Sequence, residues 1–332
     1  MKVLYIGGTG EISYECVKRS VEIGHEVTVL NRARRVEELP RGARQVTGDL
    51  SAAEPYAGLA GERFDVVCQF LAYTLQTVQR DAEFFAGRCG QYVFISSASA
   101  YCKPPQSYIV TEATPLVNPY WPYSATKAAM EQWLLAQHAA GRLPVTVVRP
   151  SHTYRTRFPG GIADGDDWAW RILQGRPVII HGDGSSLWTI THSRDFAAAF
   201  CNLLGKPAAL GEAFHITQHM HAYAWNEIMQ EVGRSLGREV DLAHVPSDTM
   251  VQYDPEWSGP LLGDKTWSVM FDNSKVMSVA GAFECKVSLA EGLAGSAEHY
   301  RRCRAPHYKP DEKLHALLDR IAADQRKLGS RE

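Results

Sequence analysis

The chain has 332 residues, 45% of them hydrophobic, with 35 Lys and Arg against 37 Asp and Glu. That length suits one large lobe or two intimate ones, and a net charge of -2 favours neither nucleic acid nor an anionic membrane as a partner. Seven scattered cysteines with no Cys-x-x-Cys pair suit a reducing cytosol better than a disulfide framework or a zinc site, so no metal is expected.

Met1-Lys2 runs straight into a strand and loop, which fits no signal peptide. No apolar run approaches the roughly 20 residues that span a bilayer. The expected class is a soluble cytoplasmic α/β protein. Val3-Leu4-Tyr5-Ile6 reads as a short buried strand. Gly7-Gly8-Thr9-Gly10 follows, then a helix over 11–23 and a second strand over 26–30. This is one βαβ unit. A dinucleotide pyrophosphate fits the N-terminus of such a helix, where unpaired N–H groups and the dipole favour anions. The plainer reading is a glycine turn.

The loop resembles the Thr-Gly-x-x-Gly-x-x-Gly loop of the short-chain dehydrogenase/reductase superfamily. It is more similar to the Gly-Gly-Thr-Gly-Phe-Ile-Gly version of the extended branch, the NAD-dependent epimerase/dehydratase family. Gly7, Gly8, Thr9, Gly10 and Ile12 match; Glu11 replaces phenylalanine and Ser13 the last glycine. The resemblance implies a doubly wound Rossmann parallel sheet with a smaller, mostly C-terminal substrate lobe. It also implies that Gly7, Thr9, Gly10, Glu11 and Ile12 lie at the cofactor. The Glu11 side chain is expected to point to solvent.

NAD enzymes tend to place Asp or Glu at the end of the second strand, for the ribose hydroxyls. Here the strand ends in Asn31-Arg32-Ala33-Arg34-Arg35. Guanidinium groups pair well with phosphate, so Arg32 and Arg35 favour NADP over NAD. Asn31 would still bind a ribose hydroxyl in NAD, and a solvated basic turn is the plain alternative. Gly48-Asp49-Leu50 resembles the Asp-Leu pair beside the adenine, though Asp49 would also serve as the N-cap of a following helix. A buried strand over 65–72 leads into Leu71-Ala72-Tyr73, similar to the loop that packs on the cofactor's ribose, and a helix is expected over 75–89.

Tyr123 and Lys127, one helical turn apart, put a phenol and an ammonium on one face. A free tyrosine has a pKa of about 10, and a nearby cation lowers it, so the pair could move a proton during hydride transfer. Tyr14 and Lys18 share the spacing and read as an ordinary helix surface. The later pair differs in its surroundings. An apolar strand over 91–95 ends in Ser96-Ser97-Ala98-Ser99-Ala100-Tyr101-Cys102, similar to the extended branch's Ser-Ser-Ser-Ala-Thr-Val-Tyr-Gly. On that resemblance Ser97 is the catalytic serine, Ser99 lines the substrate site, and Cys102 is a small buried residue. The proline-rich 103–122 resembles the family's approach to its tyrosine. The triad is then Ser97, Tyr123 and Lys127, with Lys127 also on the nicotinamide ribose and Pro150 at the cofactor.

Arg149-Pro-Ser-His-Thr-Tyr-Arg155 resembles the Arg-Pro-x-Asn-x-Tyr-Gly-Pro signature, with His152 where a substrate-contacting Asn usually stands. From about residue 151 the pattern changes to Gly and Asp clusters and a tryptophan-bearing helix over 166–173. A division follows: 1–150 dinucleotide-binding, with return segments near 190–220, and 151–189 with 220–330 as the substrate lobe. Where the family has an Arg-Asp pair that grips a nucleotide diphosphate, this chain has Trp188-Thr189. Trp188 would stack on a base, sugar or aromatic ring, or be core, and Arg155 and Arg157 would replace the lost charge. The segment 257–271 is expected to close over the substrate, and the tail after 310 to form a surface helix.

The resemblance implies an NAD(P)-dependent epimerase acting on a sugar-like or nucleotide alcohol by transient oxidation. The alternative is an NADPH-dependent ketoreductase or dehydrogenase of a non-nucleotide carbonyl. A non-catalytic redox-sensing or RNA-binding member is a third reading, disfavoured because both Tyr123 and Lys127 are present. A small-molecule substrate is expected, with no nucleic acid or membrane partner, and a homodimer by resemblance.

Overall fold

The computed structural model describes residues 1–33 and 39–329. Five strands open the chain: β1 (Lys2–Ile6), β2 (Glu26–Asn31), β3 (Arg44–Thr47), β4 (Phe64–Gln69) and β5 (Cys89–Ile95). After the two-residue β6 (Ile109–Val110) come β7 (Val145–Pro150), β8 (His152–Tyr154), β9 (Val178–His181), β10 (Leu187–Trp188), β11 (Ile190–His192) and β12 (Ala213–Ile216). The central sheet runs β12-β7-β5-β4-β1-β2-β3, parallel throughout. Parallel sheets need cover on both faces, and successive residues supply it. Val3 and Tyr5 face one core with Val17 and Phe196, while Leu4 and Ile6 face another with Phe85 and Met130. The helices doing this are α1 (Ser13–Glu22), α2 (Leu75–Phe85), α3 (Pro122–Ala139) and, after α4 (Gly165–Leu173), α5 (Ser193–Leu203). The strand order reverses direction between β1 and β4, which places ligands beyond the carboxyl ends of those strands.

A third core is separate. It gathers Trp168 of α4, Ile180, Trp188, Trp225 of α6 (Trp225–Leu236) and Trp257. Asp164 starts α4 with a capping box to Asp167. The tail helix, Glu312–Gly329, is more than a surface element: Leu318, Ile321 and Ala322 are buried in this core. No helix among the described residues is long and apolar enough to cross a membrane.

Candidate active site

Helix α3 begins with Pro122 at its first turn, where a missing N–H costs nothing. Tyr123, Lys127 and Glu131 then recur every four residues on one face. Glu131 anchors the helix to β7 through a buried ion pair with Arg149 at 2.6 Å. Lys127 donates to the main-chain carbonyls of Ala72 and Ile95, both at 2.9 Å, tying α3 to the ends of β4 and β5. Its ammonium lies 5.8 Å from the Tyr123 ring centroid and 5.2 Å from that of Tyr73.

The sequence led us to expect a lowered tyrosine pKa. Instead, burial pushes the Tyr123 phenol up to about 12, against the pull of its hydrogen bond with Ser97. Burial also brings Lys127 down to about 8. The lysine spends its hydrogens on two carbonyls rather than on the phenol, so Tyr123 rests as a neutral acid.

The serines form a chain of hydroxyls. Ser97 Oγ lies 2.9 Å from Ser99 Oγ, and Ser124 Oγ donates to Ser99 Oγ at 2.8 Å. Asn118 holds the Ser99 carbonyl and that of Gly263, at 2.7 Å each. Neither Ser124 nor Asn118 was singled out from the sequence. Ser124 directly follows Tyr123 in the motif, so its place on the helix was legible; Asn118 carried no signal.

At the dinucleotide loop, Gly7 and Gly8 have φ of +98° and +138°, and a Cβ on Gly8 would meet Val29 Cγ1 at 2.7 Å. Only glycine lets the loop turn this close to β2. Ser13 accepts the Gly10 N–H at 3.0 Å, so it satisfies a loop amide as well as packing tightly. Leu71 and Tyr73 are exposed around a buried Ala72. This cradle fits a dinucleotide, held by Gly7 to Ile12, Leu71 to Tyr73 and Lys127. Asn31 Oδ1 at the end of β2 accepts from Ala33 N and Gln45 Nε2, at 2.8 and 2.9 Å, and Arg32 is exposed beside it. Arg35 lies outside the described residues. Asp49 caps a turn through the N–H and hydroxyl of Ser51, at 3.0 and 2.8 Å, rather than a helix. Leu50 follows it, and its carbonyl takes a hydrogen bond from Arg80 at 2.6 Å.

Two expectations are corrected. Glu11 does not point to solvent. Its carboxylate accepts the N–H groups of Arg155, Thr156 and Arg157 at 3.0, 2.8 and 3.0 Å, and the Thr156 hydroxyl at 2.7 Å. Burial raises its pKa, but these bonds outweigh that and leave it lowered. Arg155 does not line the substrate cavity: its guanidinium lies 4.3 Å from the Tyr14 ring centroid, on the helix surface read as ordinary.

A cavity of about 300 Å³ opens beside Tyr123, walled by Ser97, Pro150, His152, Trp188 and the segment reaching Phe271. His152 stacks near Trp188 at 4.5 Å, and burial lowers its pKa to about 4, so it is neutral at pH 7. Trp188 is both core and wall: it is 3% exposed, and its ring lies 4.5 Å from that of Trp225. Three charged residues unmarked in the sequence also line the cavity: Lys103, Asp264 and Lys265. A second cavity of about 360 Å³ adjoins it and shares Trp121, His152 and Lys265. Among the described residues, no cluster of three His, Cys, Asp or Glu is placed to hold a metal.

The model of the NAD dependent epimerase/dehydratase family matches residues 3–217. The chain belongs to that family. It is an NAD(P)-dependent enzyme of the extended short-chain dehydrogenase/reductase type. It is 27% identical over 294 residues to the 2'-dehydrokanamycin reductase of Streptomyces kanamyceticus, covering 86% of this chain and 80% of that protein. A UDP-glucose 4-epimerase of Mycolicibacterium smegmatis is 30% identical over 208 residues, covering 62% of this chain and 60% of the relative. Among solved structures, UDP-glucose 4-epimerase from Thermotoga maritima superposes with a TM-score of 0.70 at 23% identity, covering 91% and 99% of the two chains. That likeness concerns the fold.

Proposed function

We propose that this enzyme is an NADP-dependent ketoreductase acting on a sugar-like carbonyl that carries no nucleotide. One observation carries the substrate side of this reading. On the sequence resemblance Trp188 and Thr189 stand where the family grips a diphosphate; both line the cavity, and Trp188 is packed into the third core. A tryptophan cannot neutralise a diphosphate, and this one is packed against His152 and Trp225. A relative that matches over 86% of this chain and 80% of its own is named a reductase. The absence of an acid at Asn31, with Arg32 beside it, supports the 2′-phosphate of NADP.

When bound, the nicotinamide supplies a hydride at its C4. Tyr123, resting as a neutral phenol, gives its proton to the carbonyl oxygen as negative charge develops there, and water restores it. The Ser97 hydroxyl orients that oxygen. Lys127, fixed by two carbonyls, would hold the nicotinamide ribose and brings positive charge towards the phenolate.

The second reading, a redox-neutral epimerase, is supported by the 30% identity to a UDP-glucose 4-epimerase. Counting cofactor separates the two. Purified protein is denatured, the released nucleotides are counted per chain, and NADPH consumption is followed over a panel of keto-sugars. A ketoreductase consumes one NADPH per product and retains little nucleotide. Near-stoichiometric bound nucleotide with no net consumption would replace this reading with the epimerase.

A further inference from the structure

The cavity beside Tyr123 has a charged wall that the reaction above leaves unused. Lys103 lines it and is only 5% exposed. No hydrogen bond or ion pair of its ammonium occurs among the described residues. Its main-chain N–H alone is engaged, with Val117 O at 3.0 Å. Burial of this side chain lowers its pKa, a cost that the Asp264 carboxylate offsets in part and that an anion entering the cavity would offset further.

The chain's own carboxylate there is shared between the two lysines. Asp264 pairs with Lys265 at 3.3 Å, and Lys265 is itself 8% exposed. The Lys265 ammonium lies 5.1 Å from the Trp188 ring centroid and 5.9 Å from that of Trp121. His152 is neutral at pH 7. The wall thus holds two lysines against one carboxylate, beside the rings of Trp121 and Trp188 and in the same cavity as the proton donor.

We propose that Lys103, backed by Lys265, binds an anionic substituent of the substrate, a carboxylate or a phosphate monoester, on the same sugar-like skeleton whose carbonyl Tyr123 protonates. This rests on the reading of a non-nucleotide, sugar-like substrate. It narrows the class to sugar acids or sugar phosphates and turns the pocket against cationic sugars. An oxygen anion reaching the Lys103 ammonium forms a charge-assisted hydrogen bond in a water-poor pocket.

Calorimetric titration of the NADP-saturated enzyme tests this without turnover, using galacturonate, glucose 6-phosphate, galactose and kanamycin as probes. At least one of the two acids is expected to bind about 10-fold or more tightly than galactose, and which acid does so identifies the anion. Lys103→Gln should bring that acid to within about 3-fold of galactose. Lys103→Arg should keep the preference, and NADP affinity should match wild type in both variants, showing that they fold. The proposal is overturned if neither acid binds at millimolar concentration. It is also overturned if galactose or kanamycin binds as tightly as the acids, or if Lys103→Gln keeps the preference. Acid binding through Lys103 with no reduction of any keto-sugar would instead remove the ketoreductase reading and leave this one standing.

Discussion

Glu11 on the dinucleotide loop holds the main-chain N–H of Thr156 at 2.8 Å, across 145 residues of sequence. The same carboxylate oxygen takes the N–H groups of Arg155 and Arg157. The cofactor loop and the wall of the second cavity are therefore fastened by one side chain. Glu11→Ala leaves these donors without their acceptor and should cost about 2–3 kcal/mol by denaturant unfolding. The sign with pH follows from the lowered pKa. The contribution is fully present above the ordinary carboxylate value of 4.5 and fades as pH falls through the folded-state value. Equal acid sensitivity in wild type and variant would show that the carboxylate does not hold the loop.

Lys127 should make stability rise with pH. Its folded-state pKa of about 8 lies below the ordinary 10.5, so below pH 8 both states are protonated and the buried charge is a full burden. Between 8 and 10.5 the unfolded chain holds the proton and the folded one does not, so folding is favoured as pH rises. The gain is of order 3 kcal/mol. Urea unfolding of wild type and Lys127→Met at pH 7 and pH 10 measures it in the cofactor-free protein. Parallel changes in the two proteins would exclude it.

Tyr123→Phe should lower turnover about 10²–10⁴-fold, the usual worth of a placed acid. NADP affinity should change little, since the hydroxyl's bond is to Ser97. A variant that retains wild-type turnover would remove Tyr123 from the chemistry.

Arg32→Ala should weaken NADP about 10-fold or more, by loss of a charge-assisted phosphate contact, and leave NAD within about 3-fold. Fluorescence titration with both nucleotides decides this. Equal weakening would mean that Arg32 does not meet the 2′-phosphate.

Trp188→Ala should cost about 3–5 kcal/mol, because the ring is packed against Trp225. A loss below about 1 kcal/mol would mark it as cavity lining alone.

The parts legible in the sequence are those with a local signature. The unbroken apolar run from Val3 to Ile6 marks a buried strand, and the four-residue step from Tyr123 to Lys127 marks a helix face. Glu11 was misread because its partners lie beyond residue 150, and nothing near it in sequence points to them. Lys103, Asp264 and Lys265 meet only after the chain folds back from 264 towards 103, and each alone looks like an ordinary surface residue. The raised tyrosine pKa was hidden for another reason. Spacing shows that a lysine is near, while its hydrogen bonds to the Ala72 and Ile95 carbonyls appear only in three dimensions.

The third core carries an optical consequence. None of the eight tryptophans precedes residue 121, and Trp168, Trp188, Trp225 and Trp257 all sit in that core. Indole emission therefore reports mainly on the third core. Far-ultraviolet dichroism reports on the whole backbone, including the seven-stranded sheet. The two signals would separate on heating if the cores melt in sequence, and coincide if Glu11 and its neighbours bind them into one cooperative unit.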